Sequence, residues 1–179
     1  MFGVVRVRSV IAVLIAVAVV AFLVYGLVSK GNSRLAMGAK APSPELPKLT
    51  GSGDGSLNEY RGQWVLVNFW ASWCIPCRDE APALAKFQEE HGGKHFTVVG
   101  IDTQDISDDG VKFAKEYGIT YPLLHDGNGD SAHEFGTTGV PENYLLEPNG
   151  KLAWAEYGPV DGKILEEHVA PLLPPEKTS

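Results

Sequence analysis

The 179-residue chain contains two cysteines, and both lie in Trp73-Cys74-Ile75-Pro76-Cys77. Two thiols at this spacing can close into a disulfide and reopen, exchanging two electrons without metal or organic cofactor. If the pair opens a helix, the cysteines stand about one turn apart, so Cys77 can attack a mixed disulfide on Cys74 and release the partner. Unsatisfied N–H groups and the helix dipole favour a thiolate at that helix end, which makes Cys74 the nucleophile and Cys77 the resolving thiol. Pro76 stiffens the short loop. Zinc would need two further ligands, yet no second cysteine pair exists, and Gly92-Gly93 interrupts the helix that would align His91 with His95. Covalent haem attachment needs His after the second cysteine, where Arg78 stands. An inert disulfide here would close too small a loop to restrain the unfolded chain. The pattern is that of a redox centre.

The elements that must position it follow from hydrophobic patterning. Trp64 to Trp70 is a near-continuous apolar run, suited to a central strand buried on both faces. Cys74 to about Glu90 is expected to be helical, stopped by Gly92-Gly93. Phe96 to Ile101 is a second buried strand. Ser107 is placed to cap a helix to Tyr117 with Val111, Ala114 and Tyr117 facing inward. Leu123 to His125 is a short strand, and Asp126 to Asp130 is a turn lacking the distal Glu of a calcium loop. Asn143–Leu146 and Leu152–Tyr157 flank Pro148-Asn149-Gly150, a hairpin signal. A last helix from about Asp161 to Leu173 puts Ile164, Leu165, His168, Val169 and Leu172 on one side. The order predicts an α/β fold, a mixed sheet with helices on both faces.

Composition bounds the rest. Net charge is −7; residues 1–29 hold two bases, Arg6 and Arg8, and no acid, so residues 30–179 carry 13 bases against 22 acids, a net −9. Such a balance argues against a nucleic-acid partner. From Val10 to Val28, 19 positions carry no charge, enough at about 1.5 Å per residue to nearly cross a hydrocarbon core. The run is longer than the apolar part of a cleaved signal peptide, and no Ala-x-Ala site follows, so residues 1–29 read as a signal anchor with one transmembrane helix. Residues 30–48, with Gly31, Gly38, Pro42, Pro44 and Pro47, read as a tether; 49–175 form the domain, and 176–179 a disordered tail.

Val67-Asn68-Phe69-Trp70-Ala71-Ser72-Trp73-Cys74-Ile75-Pro76-Cys77 resembles the active-site segment of thioredoxin-like proteins, and the likeness runs from about Ala41 to Leu173. Asn68 where thioredoxin has Asp, the anchor, and Arg78-Asp79-Glu80-Ala81-Pro82 are similar to the membrane-anchored thiol–disulfide proteins of cytochrome c maturation, the DsbE/CcmG and ResA types. Gly139-Val140-Pro141-Glu142 followed by Asn143-Tyr144-Leu145-Leu146 matches the same group's second signature. The resemblance implies a thioredoxin-like fold and a cis peptide before Pro141 facing the cysteines. Trp73, Pro76, Val140 and Glu142 would then border the groove where a partner cysteine docks. It also implies that Glu80 and Glu142 lie near the dithiol. There a carboxylate would raise thiol pKa values and, if buried, could carry a proton for Cys77; the alternative is two ordinary solvated acids. Trp73 is either a contact for the partner polypeptide or packing beside the helix, while Phe69 and Trp70 are core.

The function expected is that of an extracytoplasmic reductant. Cys74 would attack a disulfide of an apocytochrome c, or of a partner thiol protein in that pathway, and an integral-membrane donor would re-reduce the enzyme. The rival readings are a general disulfide oxidant or exchanger, a thiol peroxidase, and a non-catalytic polypeptide-binding adaptor that uses the Pro141 groove.

Overall fold

Residues 13–24 and 33–174 of the chain are described by a computed structural model. Two compact units divide at Ser33/Arg34. In the first, residues 13–24 form a helix with exposed side chains. No described helix is long and apolar enough to cross a membrane. The flanks of the expected anchor, residues 10–12 and 25–28, lie outside the described residues, as does the expected tail at 176–179.

In the second unit, β1 (Leu46–Pro47) pairs with β2 (Asp54–Gly55), and five strands make the main sheet. These are β3 (Trp64–Trp70), β4 (Phe96–Thr103), β5 (Leu123–Asp126), β6 (Glu142–Leu146) and β7 (Leu152–Glu156). Their order is β5-β4-β3-β6-β7, with β3 parallel to β4 and antiparallel to β6. A strand walled by two neighbours and covered on both faces needs apolar side chains pointing both ways, and β3 supplies them.

Between the strands lie α1 (Ile75–His91), α2 (Ser107–Glu116) and α3 (Asp130–Phe135). The last helix starts as α4 (Gly162–Ile164) and runs on through a π turn (Leu165–Val169) into a 3-10 turn (Ala170–Leu172). One sheet face packs Leu66, Trp70 and Val98 against α1, α2 and the last helix, through Leu84, Phe113 and Leu165. The other packs Val67, Phe69 and Tyr144 against Phe135 of α3, Leu57 and the amino-terminal Ala41.

Several expectations are corrected here. Residues 35–48 are not a free tether. Leu35 N–H donates to the Phe135 carbonyl, Gly38 N–H to that of Leu152 and Ala41 N–H to that of Gly150. The sheet edge leaves carbonyls unpaired, and a segment able to donate to them is drawn down onto it. Ser107 is the first residue of α2 rather than its cap, a role held by Ile106. The inward residues of α2 are Gly110, Phe113 and Ala114, with Val111 39% exposed; Phe113 stacks on Trp70 at 4.6 Å and so sets the helix rotation. In the last helix Leu165 and Val169 are buried, whereas His168 and Leu172 are exposed, because the π turn widens the spiral and shifts the inward face. The helix α3 was not expected. His91 pairs with Glu166 at 3.1 Å, and Glu90 offers a third possible ligand atom to that exposed pair.

Candidate active site

Four residues carry the chain from the end of β3 to the start of α1, and the last of them, Cys74, caps the helix. The Cys77 N–H donates to Cys74 Sγ at 3.2 Å, so the helix's free donors point at the first sulfur. Cys74 and Cys77 are joined in a disulfide and are 3% and 1% exposed. Pro76 sits in the first turn of α1, where its missing N–H costs no helical bond. Trp73 and Ile75, on either side of Cys74, are 57% and 71% exposed. Two apolar side chains thus border the buried sulfur on the surface.

Across from α1, the Val140 carbonyl oxygen lies 3.5 Å from Cys74 Sγ, and the Val140–Pro141 peptide is cis. This loop opens beside the dithiol into a groove of about 450 Å³ lined by Trp73, Gln104, His133, Thr138, Gly139 and Val140. The Trp73 indole N–H donates to the Gln104 carbonyl at 3.2 Å, so Trp73 forms a wall of the groove.

Glu80 lies three residues beyond Cys77, hence on the same face of α1, and is 1% exposed. One carboxylate oxygen accepts from Asn68 Nδ2 at 2.7 Å; the other accepts from Asn143 Nδ2 at 3.1 Å and the Val160 N–H at 3.0 Å. Burial pushes its pKa up to about 7, and the three hydrogen bonds hold it from rising further. Tyr121, buried in the same core, has its phenol pushed up by burial and then by the Glu80 charge. Asn68 and Asn143 face each other in the β3–β6 register and are themselves bonded at 3.0 Å.

Glu142 is not brought together with Glu80. Successive side chains of a strand point to opposite faces, and Asn143 takes the α1 face, so Glu142 takes the other. Its carboxylate accepts from the Thr138 N–H and hydroxyl and from the Tyr144 hydroxyl, with Arg34 3.8 Å away. It braces the loop before Pro141 from behind. Sequence reasoning missed Asn143 and Tyr121 as neighbours of Glu80. The motif resemblance singled out Asn68, where thioredoxin has Asp, but its cross-strand partner depends on register.

A nucleophilic thiol at a helix start, a resolving thiol one turn on, a cis-proline loop opposite and a buried acid behind define a thioredoxin-like dithiol/disulfide centre. Residues 37–155 match the AhpC/TSA family. The chain is 34% identical over 145 residues to the thioredoxin-like protein YneN of Bacillus subtilis, covering 80% of this chain and 84% of that one. It is 35% identical over 136 residues to the thiol:disulfide interchange protein CycY of Rhizobium leguminosarum bv. viciae, covering 75% and 68%. A crystal structure from Chlorobium tepidum, described as a thiol:disulfide interchange protein DsbE, superposes with a TM-score of 0.70 at 31% identity, covering 76% of this chain and 97% of that one. The chain belongs to the AhpC/TSA family, and within it to the thioredoxin-like thiol–disulfide oxidoreductases of DsbE/ResA type.

Proposed function

We propose that this oxidoreductase works as a membrane-anchored reductant on the extracytoplasmic side, reducing the disulfide of an apocytochrome c or of a partner thiol protein in cytochrome c maturation. The observation that carries the direction is Glu80, buried on the inner face of α1 one turn from Cys77. A carboxylate there repels thiolates but leaves an uncharged disulfide alone, so it favours the oxidised enzyme and release of electrons to the partner. The Cys77 N–H on Cys74 Sγ acts the other way, keeping the attacking sulfur reactive.

In the reaction, the Cys74 thiolate attacks one substrate sulfur, forming a mixed disulfide and expelling the other sulfur as a thiolate that takes up a proton. Glu80, ionising near neutral pH, then takes the proton of the Cys77 thiol. The Cys77 sulfur attacks Cys74 Sγ, closing the Cys74–Cys77 disulfide and expelling the second substrate sulfur as a thiolate, which takes up a proton from solvent as Glu80 gives its own back. The enzyme loses two electrons and the substrate gains two electrons and two protons. An integral-membrane donor would restore the dithiol. The uncharged run from Val10 to Val28 supports an anchor, and oxidation of substrate cysteines is a hazard outside the cytoplasm. The apocytochrome substrate is supported by the motif resemblance to cytochrome c maturation proteins.

Equilibration of the chain with defined thiol buffers tests the direction. A reduction potential near or below about −270 mV is expected, whereas one near about −120 mV would make it an oxidant and end the apocytochrome reading.

A further inference from the structure

The turn that presents Cys74 is tied down through Ser72. Every polar group of Ser72 is bound: its N–H and hydroxyl donate to the two oxygens of Asp105, the hydroxyl at 3.0 Å, and its carbonyl accepts from Arg78 Nη2 at 3.1 Å. Asp105 also accepts from the Ile106 N–H at 2.7 Å. The residue before it, Gln104, has φ of 52°, the sole positive value outside glycine among the described residues. In that conformation its carbonyl receives the Trp73 indole and its N–H reaches the Asp126 carbonyl. A side chain held in the left-handed region costs about 1 kcal/mol or more, so the loop after β4 is kept in an unfavourable shape while it grips Ser72 and Trp73.

Behind Asp105 stands Asp102, fully buried. Its Oδ2 lies 2.9 Å from His125 Nδ1, while its Oδ1 receives no donor among the described residues. The charges that act on it are those of Asp105 and, more weakly, Asp126. His125 faces it from β5, while the next residue, Asp126, turns to the α3 side, and α2 contributes Gly110, which carries no charge. A Cβ at Gly110 would stand 2.6 Å from Asp102 Oδ2, so the glycine makes room for the carboxyl. Burial, then Asp105 and Asp126, push Asp102 up to about 8. Burial would raise Asp105 too, but the bonds from Ser72 and Ile106 outweigh it and hold that carboxyl low. Asp105 therefore carries its charge at the turn.

We propose that Asp105 is a positioning residue for the disulfide exchange, holding the Ala71–Cys74 turn through Ser72. The inference rests on the dithiol exchanging disulfides and is independent of which protein it reduces.

The test uses the full chain, a disulfide-bonded model peptide, and the reaction rate per thiolate at pH 7, with the thiolate fraction read from its ultraviolet absorbance. Normalising to thiolate removes any change in thiol pKa, leaving position. Asp105→Ala is expected to lower this rate about tenfold, and Asp105→Asn, which keeps one acceptor for Ser72, to recover most of it. Equal rates for both variants and the natural chain would overturn the proposal. Should Asp105→Ala not fold, Ser72→Ala removes only the hydroxyl bond; a severalfold loss supports the proposal and an unchanged rate overturns it. A natural chain that reduces no disulfide at all would count against the oxidoreductase reading instead.

Discussion

At the scale of single residues the chemistry divides between two thiols and one acid. Cys74→Ser is expected to leave no exchange activity. Cys77→Ser retains the attack but not the release, so it should accumulate a covalent adduct with a disulfide substrate, visible as an added substrate mass that dithiothreitol removes. Glu80 predicts a pH signature whose sign follows from linkage. Its pKa rises from an ordinary 4.5 to about 7 on folding, so between those values the native state holds a proton that the unfolded state has lost. Stability therefore falls as pH rises through that window, by on the order of 3 kcal/mol for this group. Urea midpoints of the oxidised chain at pH 5 and pH 8 should drop more for the natural protein than for Glu80→Gln. The same variant should lose about a hundredfold in the resolving step and the kinetic limb near pH 7, because an amide accepts no proton from Cys77. The pairing of the cysteines' roles could be read from Cys-x-x-Cys spacing. That Glu80 is buried could not, since an acid three residues along a helix faces the core only if a sheet lies there.

The elements supply the rigidity that this chemistry needs. Asp126, at the end of β5, accepts from the Ser131 and Ala132 N–H groups at 3.2 and 3.0 Å and from the Thr103 hydroxyl at 3.1 Å. It thus caps α3 and ties β4 to β5 through one buried side chain. Asp126→Ala should cost about 2 kcal/mol, measured as a lower urea midpoint with unchanged slope, because a helix cap and a buried hydroxyl partner are lost together. Asp126 was legible as part of a turn, Asp126-Gly127-Asn128-Gly129-Asp130, and α3 was not. Six residues give too few turns for a helical period to emerge from sequence, and its stability comes from Phe135 packing on Phe69 and Tyr144. The long strands and α1 were legible because apolar runs and glycine stops repeat over enough residues to outweigh local noise.

Over the whole molecule the acidic balance beyond residue 29 sets how partners arrive. A net −9 over residues 30–179 predicts that the exchange rate with a cationic disulfide peptide falls severalfold from low to physiological ionic strength, while that with an anionic peptide rises. Stopped-flow rates at two salt concentrations check the sign, and equal responses for the two peptides would show that charge does not steer encounter. The sequence by itself determined the redox centre, its two roles, the order of the principal strands and the placement of a helix behind the thiols. Each of these depends on residues within one turn or one strand of one another, where spacing alone governs geometry. Tertiary structure decided that residues 35–48 lie along the sheet, that Asn143 joins Asn68 on Glu80 while its neighbour Glu142 turns to the other face, and that Asp105 reaches back to Ser72. Those contacts join segments 33 to 114 residues apart, and register, crossover and edge pairing settle them only when the whole sheet has closed.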